Sequence, residues 1–391
     1  MSVGEMRTIK DMNFDNKNVL LRVDFNVPLD ESGNITSDNR IKESLPTIKY
    51  ILEHNCKRLV LMSHLGKPDG KFDEKLTMNK VSERLSKLLG QEVIKMNDSI
   101  HIELPESSKI ILLENLRFNP GEESNDEEYA KSLAAYGDIY VNDAFGTMHR
   151  AHASTAAVTK FIPGCIGFLV EKELKYLNLA KAERPFIAIL GGAKISTKFA
   201  VIKELLKKVD YLLLGGAMVF TLYKAKGYEV GKSLYEEKFL AEAKMLLNND
   251  KIILPDDILV AKEISENSET MIVPDFDMPK EWTGLDIGHE STQLFKDYIN
   301  RAKTIFWNGP LGYFEMKKFA ESTNTIAEYL ANSGKVVIIG GGDTEDAILP
   351  WKDKFTHVST GGGASLEYIT GKELPAIRAL KENEIEFHDV A

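Results

Sequence analysis

Short apolar runs of four to six residues alternate along the chain with stretches whose apolar positions recur at helical spacing. This is the rhythm of parallel α/β units rather than of a β-sandwich. In the first half the runs predict strands over residues 19–27, 59–62, 110–113 and 138–141, with helices between them over 40–54 and 76–89. In the second half strands are expected near Phe186, Tyr211, Ile252, Thr304, Val336 and His357. Between the halves, after the turn at Pro163-Gly164, residues 168–182 read as one charge-rich helix with Leu169, Val170, Leu174 and Leu177 on its apolar stripe. The expected organisation is a first domain over 1–167, a connecting hinge over 168–184, a second domain over 185–370 and a tail over 371–391 that packs back on the first domain.

The strands of the two halves end in different chemistry. In the second half they run into glycines: Gly191-Gly192, Gly215-Gly216, Gly340-Gly341-Gly342 and Gly361-Gly362-Gly363. Such turns offer bare backbone N–H groups to a large polyanion. In the first half they run into Asp24 and Asn26, His64 and Lys67, Arg117, and then Arg150, which suits a small anion gripped by side chains. Ligands of open α/β sheets sit beyond the carboxyl ends of the strands, where all these residues fall.

Composition narrows the partners. A formal net charge of −10, with 43% hydrophobic and 28% charged residues, argues for a globular, non-membrane protein and against a general nucleic-acid binder. Any anion site must be local. Cys56 and Cys165 are far apart and without C-x-x-C spacing, so neither a disulfide framework nor a thiolate zinc site is indicated. No apolar segment resembles a signal peptide or a membrane span, and a cytoplasmic monomer is the expectation.

On the strand ending Arg22-Val23-Asp24-Phe25-Asn26 alternation puts Arg22, Asp24 and Asn26 on one face. Asp24 and Asn26 read as binding residues and Arg22 as a structural partner of Asp24. An amphipathic edge strand would give the same alternation. A lone His64 is more often structural than a ligand, and Arg117 or Arg150 alone would be surface ion-pair residues of little worth. Four such positions at one sheet edge would converge on one pocket. In the second half, Lys194 and Lys198 lie four apart after Gly191-Gly192, and on one helix face they would repel unless an anion sat between them. Asp343, after the glycines 340–342, suits a Mg²⁺ ligand, the plain alternative being an N-cap. The segment Gly227 to Ser233 is one residue short of a P-loop and follows no buried strand, so it is set aside.

These residues resemble the phosphoglycerate kinase family over essentially the whole chain. The resemblance is carried by residues 22–28, Ser63-His64-Leu65-Gly66, residues 146–154, Gly191-Gly192-Ala193-Lys194, Trp307-Asn308-Gly309-Pro310 with Phe314-Glu315, and residues 340–344. It implies an α/β fold of two Rossmann-like, three-layer domains with parallel sheets, joined by a helical hinge. It also implies phosphoryl transfer between 1,3-bisphosphoglycerate and ADP, giving 3-phosphoglycerate and ATP, with Mg²⁺. By the resemblance the triose site takes Asp24, Phe25, Asn26, Arg40, His64, Leu65, Gly66, Lys67, Arg117 and Arg150. The nucleotide site takes Gly191, Lys198, Gly215, Gly216, Asn308, Pro310, Glu315, Gly341, Gly342, Asp343 and Thr344, with Asp343 at the metal. Arg40 and Lys194 are the catalytic candidates. Lys67 stands where the family usually has arginine, and Tyr313 where it usually has valine. A non-catalytic two-domain sensor would need neither Lys194 nor Asp343, and an NAD-linked oxidoreductase would need a third fingerprint glycine that the glycine clusters lack.

Overall fold

The structure, a computed structural model, describes residues 6–390. The chain forms two compact units, one reaching to Lys175 and completed by the segment from Glu373 onward, the other Tyr176–Lys372. The outermost residues of the expected first domain (1–5) and of the tail (391) lie outside the described residues.

The first unit contains β1 (Asn18–Val23), α1 (Asn39–Glu53), β2 (Arg58–Met62), α2 (Asn79–Leu89), β3 (Ile94–Lys95), β4 (Ile110–Leu112), α3 (Pro120–Glu123), α4 (Glu127–Ala134), β5 (Ile139–Asp143) and β6 (Gly164–Ile166). Its six-stranded sheet has the order β3-β4-β2-β1-β5-β6, and every pairing is parallel. Both faces are covered, so the central strands are continuous apolar runs: Val19, Leu20, Leu21 and Val23 of β1 are all fully buried. A parallel sheet lines up its carboxyl ends, which brings residues 24–26, 63–67, 113–117 and 144–150 to one edge.

Strand β1 stops at Val23, short of the expected end at residue 27. The backbone donors beyond it are taken locally: Phe25 N–H by Ser63 Oγ at 2.8 Å, Asn26 N–H by Asp24 Oδ1 at 3.2 Å, and Val27 N–H by the Phe25 carbonyl at 2.8 Å. None is left for a neighbouring strand. The expected helix over 76–89 starts later, at Asn79, because Thr77 is extended after a 3₁₀ turn Glu74–Leu76.

The helix expected over 168–182 is α5 (Phe168–Leu177), and it ends at Asn178, whose ψ of 68° leaves the helical region before a 3₁₀ turn Leu179–Lys181. Asparagine competes with the helix by bonding nearby backbone, which explains a break there. At its other end, Asp143 Oδ1 accepts the amides of Leu169 at 2.8 Å and Val170 at 3.3 Å.

The second unit continues with β7 (Phe186–Leu190), α6 (Ile195–Leu206), β8 (Tyr211–Leu214), α7 (Val219–Lys226), α8 (Leu240–Leu246), β9 (Ile252–Ile253), β10 (Asp257–Ala261), β11 (Thr270–Pro274), β12 (Thr283–Ile287), α9 (His289–Arg301), β13 (Thr304–Asn308), α10 (Glu321–Ala331), β14 (Val336–Gly340), α11 (Gly342–Ala347), β15 (His357–Val358) and α12 (Gly363–Ile369). Its main sheet is also parallel, in the order β15-β14-β13-β7-β8-β9. A separate antiparallel sheet, β11-β10-β12, was not anticipated from the pattern.

The last helix, α13 (Pro375–Glu386), belongs to the first unit. Asn383 anchors it there, donating to the carbonyls of Thr159 at 2.5 Å and Ile162 at 2.8 Å and accepting the Gly164 amide at 2.8 Å. The discarded P-loop lookalike has no phosphate-loop setting: residues 222–226 are helical in α7, and Lys232 pairs with Glu281 at 2.6 Å. Among the described residues no helix is long and apolar enough to cross a membrane.

Candidate active site

At the carboxyl edge of the first sheet, Asp24 follows β1 and pairs with Arg40 from the first turn of α1. Asn26 Oδ1 accepts the Gly66 amide at 2.8 Å, tying the β1 loop to the β2 loop. Gly66 has φ +63°, and an added Cβ would meet the Leu76 side chain at 2.8 Å, so only glycine fits this turn unstrained. The loop is clamped by Asn115, whose amide donates to the Leu65 carbonyl at 2.7 Å and the Leu76 carbonyl at 2.9 Å. Arg117, two residues on, donates to the Gly66 carbonyl at 2.8 Å and sits 3.2 Å from Glu123.

Charge is concentrated here. Burial, then Arg22, Arg117, Arg40 and His152, hold the His64 pKa well below the ordinary imidazole value. Burial also lowers Arg117, with Arg22 and Arg150 adding like-charge repulsion against Glu123. His152 is pushed down to about 3, chiefly by burial and then by the same arginines. The structure thus places Arg40 and Arg117 within the field of His64, and Arg150 within that of Arg117. Lys67 and Arg150 are exposed, while Phe25 and Leu65 have their side chains in the core and can offer a ligand only backbone.

Arg22 does not serve Asp24, which corrects the sequence reading. It is fully buried, because β1 lies between β2 and β5, and its guanidinium turns to Ser154 and Glu122 while Arg40 takes Asp24. Glu122 was missed. It stands in a Pro-Gly-Glu-Glu run that reads as a surface turn, and its partner Ser154 is 32 residues away.

In the second unit the glycine turns pack backbone against backbone. A Cβ on Gly191 would lie 1.9 Å from the Pro310 carbonyl oxygen, and one on Gly216, at φ +69°, would lie 2.5 Å from the Gly192 nitrogen. Gly215 donates its amide to the Leu190 carbonyl at 2.8 Å. Thr344 Oγ1 accepts the Gly309 amide at 2.6 Å and donates to the Gly340 carbonyl at 2.8 Å, locking the β13 and β14 loops together. Asn308 donates to the Gly340 carbonyl at 2.6 Å and accepts from Lys198 Nζ.

Lys194 and Lys198 do not share a helix face as expected. Helix α6 begins at Ile195, so Lys194 is its extended N-cap residue and is exposed, while Lys198 is half-buried against Asn308. Burial lowers the Lys198 pKa and Asp343 opposes that shift. Asp343 is exposed in the first turn of α11. Beside these turns lies a cavity of about 210 Å³ walled by Gly216, Phe220, Leu285, Leu311 and Tyr313, with Glu315 in its lining. A largely apolar slot with Glu315, Asp286 and Asp343 in its lining and bare amides adjacent has the chemistry to take a base, a sugar hydroxyl and a phosphate chain.

Two α/β units with parallel main sheets, one edged with cations and the other with glycine turns, suit a phosphotransferase. A model of the family described as "Phosphoglycerate kinase" matches residues 9–372. The chain is 49% identical to the phosphoglycerate kinase of Chlorobium limicola, with 97% of this chain and all of that protein covered. It is 50% identical to that of Dictyoglomus turgidum, with coverage of 96% and 98%. Among solved structures, phosphoglycerate kinase from Coxiella burnetii superposes with a TM-score of 0.89 at 38% identity, covering 96% of this chain and 99% of that one. The Pyrococcus horikoshii enzyme gives 0.83 at 32% identity, with 98% and 100% covered. The chain belongs to the phosphoglycerate kinase family.

Proposed function

We propose that this chain catalyses reversible transfer of a phosphoryl group between ATP and 3-phosphoglycerate, giving ADP and 1,3-bisphosphoglycerate, as a cytoplasmic monomer in glycolysis and gluconeogenesis. The observation that carries the reading is the division of labour between the two sheet edges: side-chain cations on one, backbone amides with an apolar slot on the other.

The triose binds Asp24, Asn26, Arg40, His64, Lys67, Arg117 and Arg150, with the backbone of Phe25, Leu65 and Gly66. The nucleotide base enters the slot beside Tyr313, its ribose meets Glu315, and its phosphates lie along Gly191, Gly215, Gly216, Asn308, Pro310 and Gly341 to Thr344, with Lys198. The substrate carboxylate is ionised well below neutral pH, so it needs no general base. Its oxygen attacks the γ-phosphorus, the bond from that phosphorus to the β–γ bridging oxygen breaks, and the electron pair leaves on ADP. Arg40 and Lys194 stabilise the charge of the PO₃ group in flight.

The residues also fit Mg²⁺. Asp343 offers an exposed carboxylate at the head of α11, and Mg²⁺ commonly takes one or two protein carboxylates and draws its other ligands from phosphates and water. When bound, the ion neutralises charge on the nucleotide phosphates. A coupled assay for ADP formation from 3-phosphoglycerate and MgATP tests the proposal. Turnover should need both substrates and vanish in excess chelator. Undiminished turnover in chelator, or ATP hydrolysis indifferent to 3-phosphoglycerate, would overturn it.

A further inference from the structure

Behind the cationic edge of the first unit runs a buried polar chain that the reaction does not use directly. Arg22 Nε donates to Ser154 Oγ at 2.7 Å. Its Nη1 donates to the Val23 carbonyl at 2.6 Å and, at 3.4 Å, to that of Met62. Its Nη2 stands 3.2 Å from His64 Nδ1 and 3.7 Å from Glu122 Oε1. Ser154 in turn donates its hydroxyl to Glu122 Oε1 at 2.6 Å and its amide to Oε2 at 3.0 Å. With its proton given to Glu122, the serine can only accept from Arg22, so the direction of each bond in the chain is set.

A guanidinium carries donors and no acceptor, and it keeps its proton inside proteins. The imidazole nitrogen facing it must therefore present a lone pair. We propose that Arg22 is a positioning residue that holds His64 as the neutral Nε2–H tautomer, so that His64 offers the substrate a hydrogen-bond donor and not a positive charge. The part concerning substrate rests on the triose-site reading above; the tautomer itself does not.

The surroundings agree. The ionisable groups that act most on His64 are Arg22, Arg117, Arg40 and His152, three cations and a second imidazole. Glu122 is paired with Arg22, and Asp24 is engaged by Arg40. Protonating Nδ1 would set an N–H against the N–H of Arg22 in a site with almost no water contact, His64 being 4% exposed. A neutral donor also selects differently from a cation: it rewards an acceptor atom at one position, while the arginines supply the charge.

The test is ¹⁵N NMR of the ligand-free protein labelled at histidine, with the His64 signals assigned by their loss in His64→Gln. Across pH 5–8 His64 should show a bare Nδ1 and a protonated Nε2 without titrating. A protonated Nδ1, or a protonation midpoint near the ordinary histidine value, would overturn the proposal. In Arg22→Lys, which keeps the charge and loses the fork, the single-tautomer signature should give way to a mixture. An unchanged spectrum in that folded variant would deny Arg22 its role, and if the variant does not fold the wild-type spectrum still decides the tautomer. Calorimetry with 3-phosphoglycerate then tests the donor. His64→Gln, whose amide lies near the Nε2 position, should bind about tenfold more tightly than His64→Asn, whose amide lies near Nδ1. Equal affinity would mean that the Nε2 donor is not what the substrate meets. Absence of 3-phosphoglycerate binding to the wild type would sink the triose-site reading while leaving the tautomer result standing.

Discussion

Arg40, proposed to meet the transferring phosphoryl group, is held by a carboxylate. In the ligand-free chain its guanidinium is compensated by Asp24, so the cation is held in place at the head of α1 without isolated positive charge. Lys194 is prepared differently, standing exposed at the N-cap of α6 beside the Gly191-Gly192 turn. Replacing either by alanine should lower kcat by about 10²–10³, the common loss when one preorganised transition-state contact is removed. The two variants differ in a second readout. MgADP affinity should change little in Arg40→Ala, whose site is on the first unit, and stopped-flow turnover with nucleotide titrations measures both quantities. A wild-type kcat in either variant would remove that residue from the mechanism.

At the scale of elements, the connection into α5 depends on one buried acid. Asp143 caps the helix by accepting two of its amides, and burial raises its pKa from 3.8 to about 7 despite those bonds. An acid whose pKa is higher in the folded state binds its proton more tightly there. Its contribution is full below about pH 4 and is lost as pH rises towards 7, with a slope of up to about 1.4 kcal/mol per pH unit. Asp143→Asn keeps an acceptor for the Leu169 and Val170 amides and cannot ionise. Urea unfolding at several pH values should therefore show a flatter stability profile between pH 4 and 7 in the variant. Identical profiles would mean that Asp143 is ionised in the fold. Elements of this kind were unevenly visible in the sequence. The runs at Phe186, Tyr211, Thr304 and Val336 were legible as strands because both faces of a parallel sheet are buried, and their glycine ends marked the turns. Strands β10 to β12 were not, since β11 exposes Met271, Ile272 and Pro274 and carries no alternation to read. The two-residue edge strands β3, β9 and β15 are too short for any period, although Ile252 and His357 marked the places of the last two. Of the candidate site, Asp24, His64 and Arg117 were visible from their place after strands. Glu122 and Ser154 were not, because what defines them is a contact between distant segments.

For the whole molecule, the proposed triose residues belong to the first unit and the glycine turns to the second, so on the proposed function each substrate alone finds its partners on one unit. A ligand shifts a conformational equilibrium only by its differential affinity for the two states. For the proposed reaction the reacting carboxylate and the γ-phosphate must come within bonding reach and water must be kept out, since it would hydrolyse the group being transferred. On the proposed function, the contacts that would favour such a state require both ligands. Small-angle scattering should accordingly show the radius of gyration falling clearly with 3-phosphoglycerate plus an unreactive MgATP analogue, and little with either alone. Equal compaction by the analogue alone would place the driving contacts within the second unit, and the requirement for both ligands would have to be abandoned.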